Sequence, residues 1–216
     1  MHRFVWDIRY SFAGGGGRRT RRGGSGPLAV PGKYTIRLTA AGKTMSVPLV
    51  VKMDPRVKTS LADLQRQFEA ASRLNAGIGE LTAAVQRADD LRKQIAVRSK
   101  EAEGISDVTA ALAGLDKKVG ELTGSGTGGG FGFFGFAVPG NVPVTLKQVS
   151  AAYGALLGII ESADAAPTVD ASIASAKWEE AGKAALVRMD AIQTKELTGV
   201  NSLLEKAHLE PLKFNR

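Results

Sequence analysis

The sequence predicts an α+β chain, predominantly α: a small partial antiparallel β-sandwich followed by an antiparallel helical bundle of long-short-short-long order. Three observations lead there. Apolar residues alternate with a period of two in residues 1–54, the spacing changes to three and four after Asp54-Pro55, and four separate apolar stripes then follow. With 216 residues, 44% of them hydrophobic and 23% charged, the chain can bury a core and lacks the composition of a disordered or collagen-like protein.

Residues 1–54 form the expected β module. Phe4, Trp6, Ile8 and Tyr10 alternate with Val5, Asp7 and Arg9, the pattern of a half-buried strand. A second strand is expected at 34–38 and a third at 45–51, with Met45, Val47, Leu49 and Val51 on one face and Ala40-Ala41-Gly42-Lys43 as the hairpin turn between them. Pro48 has no N–H to donate, which places it at an edge or a bulge. Three strands are marginal alone and need a second layer on their apolar face. Residues 13–27 interrupt the first two strands with a Gly/Arg-rich loop containing Arg18, Arg19, Arg21 and Arg22.

Residues 55–216 read as the bundle. Leu61, Leu64, Phe68, Ala71, Leu74, Ile78, Leu81, Val85, Ala88, Leu91 and Ile95 make one face of a helix over 60–100 apolar, about 60 Å long at helical rise. Thr59 or Ser60 with Asp63 behind it is its start signal, and Gly77 and Gly79 are expected to bend it. Ile105, Val108, Leu112, Leu115, Val119 and Leu122 define a short second helix ending at Gly124; Leu146, Val149, Tyr153, Leu156 and Ile160 define a third. The fourth starts after Pro167-Thr168 and carries Ile173, Trp178, Ala185, Met189, Ile192, Val200 and Leu203 towards His208. The long helices are expected to pair, with both short ones at one end, and Gly154 and Gly158 should admit a neighbouring backbone.

Composition excludes much chemistry. There is no cysteine, hence no disulfide, thiolate metal site or thiol nucleophile, and the two histidines, His2 and His208, lie near opposite ends without nearby ligands. Gly42-Lys43-Thr44 resembles the end of a phosphate loop, but Arg37 stands where that loop needs glycine. Asp89-Asp90, Glu101 with Glu103 and Glu179-Glu180 fit the solvated faces of helices better than an acid-base pair. No catalytic residue, metal or cofactor is therefore expected. The longest apolar run, 149–160, is too short to span a bilayer. The opening residues lack the pattern of a secretory signal, which reads as cytoplasmic or as a fragment.

Two loops are the candidate interaction sites. The net charge of +8 is concentrated early: twelve basic residues against Asp7 and Asp54 up to Lys58, leaving a slightly acidic remainder. The arginine cluster would give only a weak, salt-sensitive contact with RNA or another anion, so nucleic acid is not the expected partner. Residues 124–144 hold a Gly/Phe-rich loop with Phe131, Phe133, Phe134 and Phe136. Its phenylalanines can fold over the end of the bundle, dock a protein partner, or insert shallowly into a membrane, the last disfavoured by the lack of flanking basic residues.

Phe4-Val5-Trp6-Asp7-Ile8-Arg9-Tyr10, then Pro31-Gly32-Lys33-Tyr34-Thr35-Ile36-Arg37-Leu38, then Asp54-Pro55-Arg56 ahead of the helical region, resemble the C-terminal region of bacterial BNR/Asp-box, sortilin-like β-propeller proteins, often labelled glycosyl-hydrolase-like. The resemblance implies FlgD-type immunoglobulin-like strands followed by a helical region, in an exported parent. No propeller box of the S-x-D-x-G-x-x-W type occurs here, so no hydrolytic residues carry over. Relatives have sandwich strands before the W-D strand, so the sandwich is expected to be incomplete, with an exposed edge or apolar face. The chain then reads as the detached tail of such a protein: a structural or protein-interaction module whose partner is a β-propeller domain or a second copy, or an accessory to a catalytic domain located elsewhere.

Overall fold

The structure, a computed structural model, describes residues 3–15, 25–124 and 143–214. Two strands, β1 (Gly32–Ala40) and β2 (Lys43–Val51), are followed by helices α1 (Leu61–Glu101), α2 (Ser106–Thr123), α3 (Leu146–Ile160), α4 (Val169–Ala191) and α5 (Leu197–Lys206). The last two are joined by a π turn, Ile192–Glu196, that keeps right-handed helical backbone at both ends. The α+β, predominantly α reading therefore holds, and the expected fourth helix is one rod containing an extra-residue turn.

Local chemistry sets the helix ends. Ser60 Oγ accepts from the Asp63 N–H at 3.1 Å, as the start signal predicts. Thr145 and Gln148 form a reciprocal capping box at the start of α3, and Thr168 caps α4. Gly124 ends α2 in the left-handed region at φ 82°.

α1 is unbroken through Gly77 and Gly79, so these glycines do not interrupt it. Leu64, Ala71, Leu74, Ile78, Leu81, Ala88, Leu91 and Ile95 are buried along it. The two short helices lie in series along α1 rather than together at one end. Residue Gly124, closing α2, sits so near Thr145, opening α3, that an added Cβ would meet Thr145 Oγ1 at 2.8 Å. α2 joins the C-terminal half of α1 through Arg92 and Asp116 (2.7 Å), and α3 joins its N-terminal half through Gln67, whose Nε2 donates to the Ile160 and Ala163 carbonyls (2.6 Å each). The result is three rods: α1, α2 with α3, and α4 with α5.

Gly154 and Gly158 face open space and admit nothing, contrary to expectation. The close approach is made instead at Gly77 and Gly182, which flank the ring of Tyr153. That ring is buried where α1, α3 and α4 meet, and its hydroxyl donates to the Trp178 carbonyl at 3.3 Å.

Only two of the three expected strands form. β1 and β2 pair antiparallel, with Ala40 opposite Lys43 and Gly32 opposite Val51. Ala41 and Gly42, at φ 48° and 75°, supply the two positive φ values of a type I′ hairpin turn. The Phe4 to Tyr10 stretch is not a strand. Ile8 lies at φ 60°, which breaks the extended run, and Arg9 makes one isolated bridge with Leu28.

Candidate functional site

The register of the hairpin decides what it exposes. Residues directly opposite share a face, so Tyr34, Ile36 and Leu38 lie beside Leu49, Val47 and Met45. Ile36, Leu38, Met45 and Val47 are 53%, 56%, 63% and 58% exposed, and neither strand packs against a helix. An apolar sheet face of this kind ordinarily needs another layer. The ribbon, moreover, carries Lys33, Arg37 and Lys43 and no acidic residue.

The two edges differ. A two-residue hairpin loop makes its closing pair a hydrogen-bonded one, and bonded and non-bonded pairs then alternate. Thr35 and Pro48 fall on a non-bonded pair, whose backbone groups point outward. The missing Pro48 N–H therefore costs the hairpin nothing but removes a donor from the outer edge of β2. The outer edge of β1 keeps its donors at Lys33, Thr35, Arg37 and Thr39, and among the described residues no third strand pairs there.

The root of the ribbon is fastened to the bundle. Trp6 packs edge-on against Tyr34 with ring centroids 5.6 Å apart, and the Trp6 indole N–H donates to the Arg9 carbonyl at 2.9 Å. Tyr34 donates its hydroxyl to the Val30 carbonyl at 2.6 Å; burial, with Tyr10 beside it, pushes its pKa up. Arg9 forms an ion pair with Glu161, just past α3, and also donates to the Gly26 carbonyl at 2.9 Å. Glu161 accepts in addition from the Leu28 N–H at 2.6 Å. Farther along, Asn75 grips the Ser11 carbonyl and Ala13 N–H, and Tyr10 packs on Phe68 at 5.2 Å. A cavity of about 160 Å³ lies at this junction, walled by Ile8, Leu28, Val30, Met53, Leu64 and Phe68 among others.

Elsewhere the titratable groups serve packing and surface pairing. Burial first, then Glu179 and Glu80, push the Tyr153 pKa up to about 12, so this phenol stays protonated as a donor at neutral pH. Asp90 pairs with Lys93 and Glu101 with Arg98 across one helical turn, and Glu179 faces Arg73. Among the described residues no three His, Asp or Glu side chains gather as a metal site, and no helix is long and apolar enough to cross a membrane.

Arg18, Arg19, Arg21, Arg22, Phe131, Phe133, Phe134 and Phe136 lie outside the described residues, as does His2. The face of Met45, Val47 and Leu49 is placed as its alternation predicts, now with β1 beside it. Glu161, Asn75 and Gln67 carry no sequence signal, because each acts on backbone far away in the chain. No family model, curated protein or solved structure matches this chain.

Proposed function

We propose that the chain is a non-catalytic protein-interaction module, in which the β-ribbon adds to the sheet of a β-sandwich partner while the helical rods hold it in place. The observation behind this reading is the ribbon itself: four large apolar side chains, each more than half exposed, beside an open β1 edge. Covering them would contribute roughly 1 kcal/mol apiece, since full burial of such a side chain is worth about 1.5–3 kcal/mol. Strand addition along β1 supplies main-chain hydrogen bonds and register as well.

The resemblance to BNR/Asp-box, sortilin-like proteins supports the choice of occupant: the sandwich strands of a propeller-bearing, exported parent. In that setting any glycosyl-hydrolase-like activity belongs to the partner. The test is a binding measurement between the full chain and a purified protein of that class carrying its sandwich. Ile36→Asp with Val47→Asp, directly opposite each other on the face, should abolish binding while circular dichroism of the helices stays unchanged. Binding indifferent to those substitutions, or hydrolysis of a chromogenic glycoside by the isolated chain, would overturn the reading.

A further inference from the structure

Along the C-terminal half of α1 the chain's own residues 209–214 are held against α1 and α5. After α5 the chain reverses in a Schellman turn: the Leu209 N–H donates to the Leu204 carbonyl (2.9 Å) and the His208 N–H to the Glu205 carbonyl (3.0 Å), with His208 left-handed at φ 60°. Residues 209–214 then run back between α1 and α5, antiparallel to α1. Glu210 meets Arg98, Lys213 meets Gln94, and Phe214 lies 5.9 Å from the Arg87 guanidinium.

The grip on this segment is mainly on its backbone. Asn201 of α5 donates to the Leu212 carbonyl at 3.0 Å and accepts from the Leu212 N–H at 2.8 Å. Gln94 of α1 does the same for Lys213, with both bonds at 2.8 Å. An amide side chain offers one acceptor and a donor, which match the N–H and C=O of one residue. Successive residues of an extended chain turn those groups to opposite sides. One amide on each wall therefore holds two consecutive residues, a geometry that selects an extended chain whatever its side chains.

Side chains add the selectivity. Leu212 is buried at 3% exposure, and Leu209 and Phe214 are partly buried against the core. Arg98 adds a charged bond to Glu210, two residues before the leucine, and Arg87 stacks on the aromatic two residues after it. Main-chain pairing for affinity with alternate side chains for specificity is the division of labour seen when receptors bind extended peptides.

We propose that the α1–α5 groove is a peptide-binding site for an extended segment of the pattern acid-x-Leu-x-aromatic. Residues 210–214, Glu-Pro-Leu-Lys-Phe, occupy it as a resident ligand that a matching segment of a partner protein displaces. The resident segment is tethered directly to α5, at an effective concentration on the order of millimolar, so it shields the groove from micromolar competitors.

The test uses the full-length chain and a fluorescent peptide of sequence Leu-Glu-Pro-Leu-Lys-Phe, read by anisotropy. Leu212→Asp, or Lys213→Pro, which removes the N–H given to Gln94, should release the resident segment and raise peptide affinity at least about ten-fold over the parent chain. Adding Asn201→Ala to either variant should reverse that gain. In the unsubstituted chain, millimolar peptide should speed hydrogen exchange at the Leu212 and Lys213 amides. Variants that keep their helical circular dichroism but bind no better than the parent, binding indifferent to Asn201→Ala, or exchange unmoved by peptide would each reduce the segment to a strap and overturn the proposal.

Discussion

Replacing Gly77 by alanine tests the packing of the three rods more sharply than any change to a large side chain. A Cβ at Gly77 would fall well inside 3.0 Å of the Tyr153 ring, and one at Gly182 would collide with the same residue from the other side. Moving the ring away from Gly77 would also disturb its hydroxyl, which donates to the Trp178 carbonyl at 3.3 Å. Overpacking of this kind costs about 1–3 kcal/mol, and a ring pinned on both sides places Gly77→Ala near the upper figure. Alanine recovers about 1 kcal/mol of helix propensity, leaving a net loss of about 2 kcal/mol. For a chain of this size that lowers the melting temperature by about 4–8 °C. Gly154→Ala and Gly158→Ala meet no atom within 4 Å and should instead stabilise the fold, by about 0.5–1 kcal/mol each. Calorimetry on the three variants, repeated in a Tyr153→Leu background, completes the cycle. With the ring gone, Gly77→Ala should turn stabilising by about 1 kcal/mol. A Gly77→Ala protein that melts above the parent with Tyr153 intact would refute the reasoning.

Two further outcomes follow from the junction and the first turn of α1. Glu161→Ala leaves the Leu28 N–H without its acceptor and Arg9 without its carboxylate, so the ribbon root should loosen; the expected loss is about 1–3 kcal/mol, and trypsin should cut sooner at Arg9 with α1–α5 intact. Asp63 has its pKa held below the usual 3.8 by hydrogen bonds from Ser60 and then Arg66. A lowered folded-state pKa gives stability that is full above the unfolded value and disappears as pH falls through the folded one. Asp63→Asn should therefore lower the melting temperature at pH 6 and have little effect well below pH 3.8, which thermal scans at the two pH values would show.

The helices were legible in the sequence because their signal is local: apolar spacing, the start signals at Ser60 and Pro167-Thr168, and glycine at 124 all act within a turn or two. The hairpin was legible for the same reason, its Ala41-Gly42 turn joining two alternating runs. What escaped depends on partners distant in sequence. The aromatic run at Phe4 to Tyr10 has strand composition but joins no ladder, making one isolated bridge and an ion pair from Arg9 to Glu161 across 152 positions. Glycine roles were misassigned between Gly154 and Gly77 because a Gly-x-x-x-Gly spacing says nothing of what lies opposite. Gln94 and Asn201 look like ordinary surface amides until the returning segment is in view. The Met45, Val47 and Leu49 stripe was visible beforehand, and the expected incomplete sandwich allowed for the exposed apolar face that Met45 and Val47 present.

The abutment of Gly124 and Thr145 makes the stretch between them a detour whose entrance and exit coincide. Closing such a detour costs only slowly more as it lengthens, about 0.6 kcal/mol per doubling. At the abutment the two half-rods meet head to tail, so beside α1 they act as one strut assembled from two separately capped pieces.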